Sequence, residues 1–199
     1  MKYNPYQKLT IGATRTLTAL QKAMLTLLSE KSFEEITIQE LCDGAMLPRA
    51  TFYNYFDDKN DLLHYCFMVF QKQIDQTIPE DFTTHNYICT LMENCFDFLD
   101  QYQKVLQDIL EHNPSSQYLI NQFRFYLTTS MVEAFKNCPN QNRYKVPQEM
   151  AAKVYSDAVL TLLEWKYLDK KECPKEEAKA YLGIIVKGIT DEILEKERY

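Results

Sequence analysis

A chain of 199 residues with 46% apolar and 13% aromatic content has ample material for a packed core, which excludes an intrinsically disordered protein. The net charge of −6 argues against nucleic acid only until its distribution is read. Residues 1–59 hold seven Lys or Arg against seven Asp or Glu, while residues 60–199 hold fifteen against twenty-one, so the excess acid is confined to the second part.

The first twenty residues lack the apolar block of a signal peptide and no apolar run is long enough to cross a bilayer. The six cysteines, Cys42, Cys66, Cys89, Cys95, Cys138 and Cys173, form no CxxC pair, which suits a reducing compartment. A cytoplasmic chain with no membrane partner is expected. In chain order, a first helix is predicted from about Thr10 to Lys31, with Leu17, Leu20, Met24, Leu27 and Leu28 repeating at three and four residues to form one apolar stripe. Lys2, Lys8, Arg15 and Lys22 all precede the first acidic residue, Glu30, so the arm and first helix form an acid-free basic segment suited to lying along phosphates.

Thr37 followed by Glu40 has the capping-box spacing and opens a second helix, with Ile38, Leu41 and Cys42 on one side. Gly44 to Leu47 make a corner, and Pro48 suits the first turn of a third helix, where a missing N–H had no partner. Helix, corner, helix is the sequence form of a helix-turn-helix. Phe52 and Phe56 are the core candidates of the third helix. Asp58 then caps a fourth helix, with Asp61 at its third position, continuing through Leu62, Leu63, Phe67, Phe70 and Ile74 until Pro79 ends it.

Beyond Pro79 every periodic segment is helical. Ile88 to Tyr102 keeps helical spacing, extended by Val105, Leu106, Ile109 and Leu110 to a break at His112-Asn113-Pro114. Leu119 to Phe135 marks another long helix, and Asn140 to Val146, polar and short of apolar anchors, reads as a mobile loop. Pro147 opens a helix running to Trp165. Pro174 opens the last, in which Ala178, Leu182, Ile185, Ile189 and Ile193 form a narrow seam of the kind that meets another helix. The fold expected is all-α, with about nine helices.

Residues 10 to 68 resemble the DNA-binding domain of the TetR/AcrR family of bacterial transcriptional regulators. The likeness rests on five motifs in order: Glu30-Lys31-Ser32-Phe33, Thr37-Ile38-Gln39-Glu40-Leu41-Cys42, Ala45-Met46-Leu47-Pro48, Arg49-Ala50-Thr51-Phe52-Tyr53-Asn54-Tyr55-Phe56 and Lys59-Asn60-Asp61-Leu62-Leu63. A second likeness joins Leu162-Leu163-Glu164-Trp165 to Leu168, and Pro174-Lys175-Glu176-Glu177, to the C-terminal domain of a Firmicutes TetR subgroup.

The resemblance implies an N-terminal three-helix DNA-binding domain, residues 1–58, joined by the long fourth helix to a helical ligand-binding and dimerisation domain, residues 59–199. It implies a regulator, expected to be a repressor, that binds a palindromic double-stranded DNA operator as a homodimer through its last two helices and is released by an unidentified small-molecule effector. Arg49, Ala50, Thr51, Tyr53 and Asn54 would then face the major groove, where Arg pairs with guanine O6 and N7 and Asn with adenine N6 and N7. Thr37, Tyr53, Tyr55 and Lys59 would hold phosphates, helped by the positive ends of the second and fourth helices. Phe96, Phe123, Tyr126 and Met131 are the candidates for the effector pocket.

Three positions depart from the family pattern. Ser32 replaces a glycine that usually stops the first helix in the left-handed conformation, so a costlier corner is expected. Met46 replaces a glycine and Pro48 a Ser or Thr cap, each costing about 1 kcal/mol. On backbone grounds Met46→Gly is expected to stabilise the free domain without altering operator choice.

One rival is a metal- or thiol-responsive regulator of the same fold, suggested by His85 and Cys89 four residues apart. Another is a helical interaction protein that has lost DNA binding. No metal ligand set, cofactor or catalytic residue is assigned, because the chain lacks a Gly-rich phosphate loop, HExxH and GxSxG.

Overall fold

A computed structural model describes residues 6–75, 84–113, 117–136, 144–169 and 173–193, with the side chains of residues 75, 84–89, 117, 168 and 189–193 outside the description. Among these residues nine α-helices occur in chain order: α1 Ile11–Leu28, α2 Ile38–Gly44, α3 Arg49–Tyr55, α4 Lys59–Asp75, α5 Thr84–Gln101, α6 Gln103–His112, α7 Gln117–Lys136, α8 Gln148–Leu163 and α9 Lys175–Ile193. A 3₁₀ turn at Phe33–Glu35 precedes α2, and a π-helical turn at Glu164–Leu168 follows α8. Packing divides the chain into two units, one of residues 1–73 with 101–122 and the other of residues 74–100 with 123–199.

In the first unit α1 starts at Thr10, whose Oγ1 accepts from the Ala13 N–H at 3.2 Å. Its stripe of Leu17, Leu20, Met24 and Leu28 is buried, as the spacing requires. Gly44 lies where α2 crosses α1, and a Cβ there would meet the Ala23 Cβ at 3.3 Å, so this close crossing favours glycine.

The end of α1 departs from expectation. Ser29 and Ser32 have φ of −78° and −65°, so the corner uses no left-handed residue and carries none of the strain expected at Ser32. The buried Asn113 side chain takes over the work of a cap. Its Nδ2 donates to the carbonyls of Leu28 at 3.2 Å, Lys31 at 3.4 Å and Ile109 at 2.9 Å, while its Oδ1 accepts from the Phe33 N–H at 2.9 Å. One amide thus closes the ends of α1 and α6 and starts the 3₁₀ turn.

The single helix expected from Ile88 to Leu110 is two. It breaks at Tyr102 (φ −105°, ψ 19°), because Leu91, Met92, Cys95 and Phe96 of α5 belong to the second core while α6 packs on α1 in the first unit. Similar hydrophobic spacing on both sides of the break hid the change of partner.

The second unit is built around α8, whose Ala151, Ala152, Tyr155, Val159, Leu160, Leu162 and Leu163 are buried against α5, α7 and α9. Arg124 of α7 pairs with Asp157 at 3.0 Å and Glu164 at 3.1 Å, and Lys179 of α9 pairs with Glu93 of α5 at 2.9 Å. These pairs are part-exposed and contribute at most about 1 kcal/mol each. They fix pairing more than they hold the unit together.

Residues 140–143 of the expected mobile stretch lie outside the description. The end of that stretch is anchored, since Tyr144 stacks on Phe135 at 5.6 Å and Val146 packs against the core. The expected α9 seam is also revised. Ala178, Leu182 and Val186, four apart, are buried, whereas Ile185 is 39% exposed and turns outward beside Tyr181 and Ile184. Ile189 and Ile193 lie outside the described side chains.

Candidate nucleic-acid interface

Residues 37–56 fold as sequence patterning requires and present one face of α3 to solvent. At the start of α2 the Thr37 and Glu40 side chains close a capping box: the Thr37 N–H donates to Glu40 Oε2 at 2.9 Å and the Glu40 N–H to Thr37 Oγ1 at 3.3 Å. Lys31 forms an ion pair with Glu40. That partner first, and then the Thr37 N–H, hold the Glu40 carboxyl down to about 2.

At the end of α2 the Leu47 N–H reaches the Cys42 carbonyl at 2.9 Å and the Met46 N–H the Asp43 carbonyl at 3.1 Å. These are the paired bonds of a Schellman ending, which needs a left-handed residue, and Met46 occupies that place with φ of 55°. Pro48 stands as the extended residue before α3 rather than as its first helical residue, and no side chain caps the helix there.

α3 is held from one side. Phe52 and Phe56 are fully buried, with Phe52 5.7 Å from Phe56 and Phe56 5.6 Å from Tyr65 of α4. The opposite face, at positions i, i+1, i+4 and i+5, carries Arg49, Ala50, Tyr53 and Asn54, all exposed, with Thr51 half-buried at its edge. Arg49 Nη2 lies 3.5 Å from the Tyr53 hydroxyl. A seven-residue helix is about 10 Å long, which fits a B-DNA major groove about 12 Å wide. Lys8, Arg15 and Lys22 of the basic segment are also exposed.

Two of the expected phosphate residues, Lys59 and Thr37, have hydrogen-bond partners within the chain. Lys59 does not project as a free phosphate ligand: its ammonium donates to the carbonyls of Phe33, Glu34 and Ile36, each at 2.8 Å, above the Phe33 ring. All three of its hydrogens are engaged in fixing the 3₁₀ turn to α4. The Thr37 hydroxyl is likewise engaged, donating to Glu40 Oε2 at 2.8 Å. The positive ends of α2 and α4 already carry carboxylates, because Asp58 Oδ1 accepts from the N–H groups of Asn60 at 2.8 Å and Asp61 at 2.9 Å, and the Asp61 N–H holds its carboxyl below the usual range. Tyr55 is half-buried and packs against the core.

Sequence reading missed Asn113. Its place beside Pro114 signals a helix end, but its partners lie about eighty residues away and leave no local pattern.

In the second unit Phe96 and Met131 are fully buried members of the core, Phe123 packs against it half-buried, and Tyr126 is buried. The described residues hold no group of three His, Cys, Asp or Glu able to take a metal, and His85 and Cys89 lie outside the described side chains. Burial raises the Cys42 and Cys66 thiols above their ordinary range. No helix among the described residues is long and apolar enough to cross a membrane.

An outward polar face on the second helix of a pinned helix-corner-helix is the geometry of a helix-turn-helix motif. Residues 21–66 match the family model described as bacterial regulatory proteins, tetR family. The N-terminal region is therefore a TetR-type DNA-binding domain, and the chain as a whole has the fold of TetR-family transcriptional regulators.

A solved protein of Syntrophomonas wolfei, described as a TetR-family transcriptional regulator, matches with a TM-score of 0.68 at 20% identity, over 94% of this chain and 100% of that one. A TetR transcriptional regulator of Streptococcus agalactiae matches at 0.58 and 20% identity, over 88% and 95%. The dihydroxyacetone kinase operon activator DhaS matches at 0.57 and 16% identity, over 91% and 98%. Identities this low speak for the fold alone. A search of curated proteins by sequence returns no match.

Proposed function

We propose that the chain is a transcriptional repressor that binds a twofold-symmetric DNA operator as a homodimer and is released by a small molecule held in the second unit. The observation that carries this reading is the outward face of α3, where Arg49, Ala50, Tyr53 and Asn54 stand exposed over the buried Phe52 and Phe56. Arg49 reads guanine and Asn54 adenine in the major groove, with Ala50 small enough to admit the backbone and Thr51 at the edge. Tyr53 and Tyr55 contact phosphates. Lys59 and Thr37 act one step removed, by fixing the helices that present those residues.

Dimerisation through α8 and α9 is supported by an apolar face unusual for a solvated surface. Leu162, Trp165, Tyr181, Ile184 and Ile185 line a shallow concavity, Ile184 is 71% exposed, and Met150 and Val154 of α8 are exposed as well. Two copies supply two recognition helices, which one short helix needs for selectivity. For the effector, Phe123 and Tyr126 are the stronger candidates, because Phe96 and Met131 are committed to the packed core.

Selection of bound DNA from a random pool tests the function. The expected product is an inverted repeat whose complex runs as two chains per duplex in a mobility shift. Recovery of no preferred sequence overturns the reading and favours a helical interaction protein.

A further inference from the structure

Met46 is exposed to 90%, and its backbone holds φ of 55°. Both features are unfavourable in the free protein: the left-handed position suits glycine, and an exposed thioether side chain buries no apolar surface that would offset the strain. The corner does not need Met46 for packing, since its neighbour Leu47 packs against the core and the two Schellman bonds use only the backbone. The side chain stands three residues before Arg49 and four before Ala50, at the entry to the exposed face of α3. Unbranched and polarisable, it is suited to covering an irregular apolar surface.

We propose that Met46 is a DNA-contacting residue, its side chain covering an apolar patch of the operator beside the recognition helix. That patch is either a thymine methyl at the groove edge or deoxyribose carbons of the flanking strand. The inference rests on the operator-binding function proposed above. It departs from the expectation, drawn from the backbone alone, that Met46→Gly leaves operator choice untouched.

The test uses the operator selected by the full-length wild-type protein, with affinity followed by fluorescence anisotropy and stability by thermal melting. Met46→Gly is expected to raise the melting temperature yet weaken operator binding about tenfold. A misfolded variant cannot produce that opposite pair of signs. Met46→Ala, which keeps the strained Cβ, should lose the same affinity without the gain in stability.

Replacing each operator thymine in turn by deoxyuridine separates the two patches. Loss at one position in the wild type but not in Met46→Gly identifies the methyl, whereas a Met46→Gly defect with no sensitive thymine identifies the sugar. Wild-type affinity and an unchanged selected sequence for Met46→Gly, with Arg49→Ala defective, overturn the proposal while leaving the operator function standing. A wild-type protein that selects no sequence overturns the operator function, and this inference with it.

Discussion

Single side chains divide here between those that face outward and those that set the fold. Arg49 and Asn54 are exposed and do not build the core, so Arg49→Ala and Asn54→Ala should leave stability within about 0.5 kcal/mol. Each should cost about 1–3 kcal/mol of operator affinity and relax selection at its own base pair, read by repeating the DNA selection with the variant. Asn113 is the opposite case. Asn113→Ala leaves the Phe33 N–H and the carbonyls of Leu28 and Ile109 without this partner in a buried place, and should destabilise the chain by about 2–4 kcal/mol in denaturant unfolding. Asn113→Asp should be nearly as damaging, because a carboxylate cannot donate to those carbonyls.

Helix ends carry the pH dependence. The Glu40 carboxyl, at about 2 in the folded chain against an ordinary 4.5, is depressed by Lys31 and by the Thr37 N–H. Its contribution is therefore fully present above about 4.5 and is lost as pH falls toward about 2. Asp58, lowered by the Asp61 N–H, acts in the same direction. Denaturant midpoints measured across that acid range should fall for the wild type, and Glu40→Gln should flatten the curve by removing the titrating group.

The π-helical turn at Glu164–Leu168 is a second consequential element. It carries Trp165, 6.0 Å from the Tyr181 ring, and Tyr167, whose hydroxyl donates to Asp100 at 2.6 Å. Sequence periodicity read the start of this turn, as far as Trp165, as a continuation of α8. An inserted residue in a helical turn shifts no apolar spacing strongly enough to announce itself.

For the assembled molecule, the proposed dimer face gives a direct measurement. Ile184→Asp places a charge on a side chain that is 71% exposed in the single chain, so the protomer should fold normally. If two copies meet there, the variant should sediment as a monomer and bind the operator far more weakly, since each half-site is then held alone. A variant that remains dimeric rejects this face. Operator affinity should also fall by about a thousandfold or more between roughly 50 and 200 mM salt if at least about six phosphates are neutralised.

What the sequence determined by itself was written in short repeats, although the repeats of α9 and across Tyr102 named the helix without naming its buried side or its break. The apolar stripe of α1, the capping box at Thr37, the buried Phe52 and Phe56 and the all-helical character follow from interactions between residues three or four apart, and such spacing is written in the chain, whereas the left-handed Met46 was expected from the resemblance to the family pattern. Tertiary structure decided the rest: that Lys59 is engaged by three carbonyls, that Asn113 closes α1, that the helix expected across Tyr102 divides between two cores, and that Val186 replaces Ile185 on the buried line of α9. The physical reason is common to these cases. A side chain's chemistry offers donors or apolar surface, but which partner takes them is fixed only when segments distant in sequence pack together, and that choice leaves no local period to read.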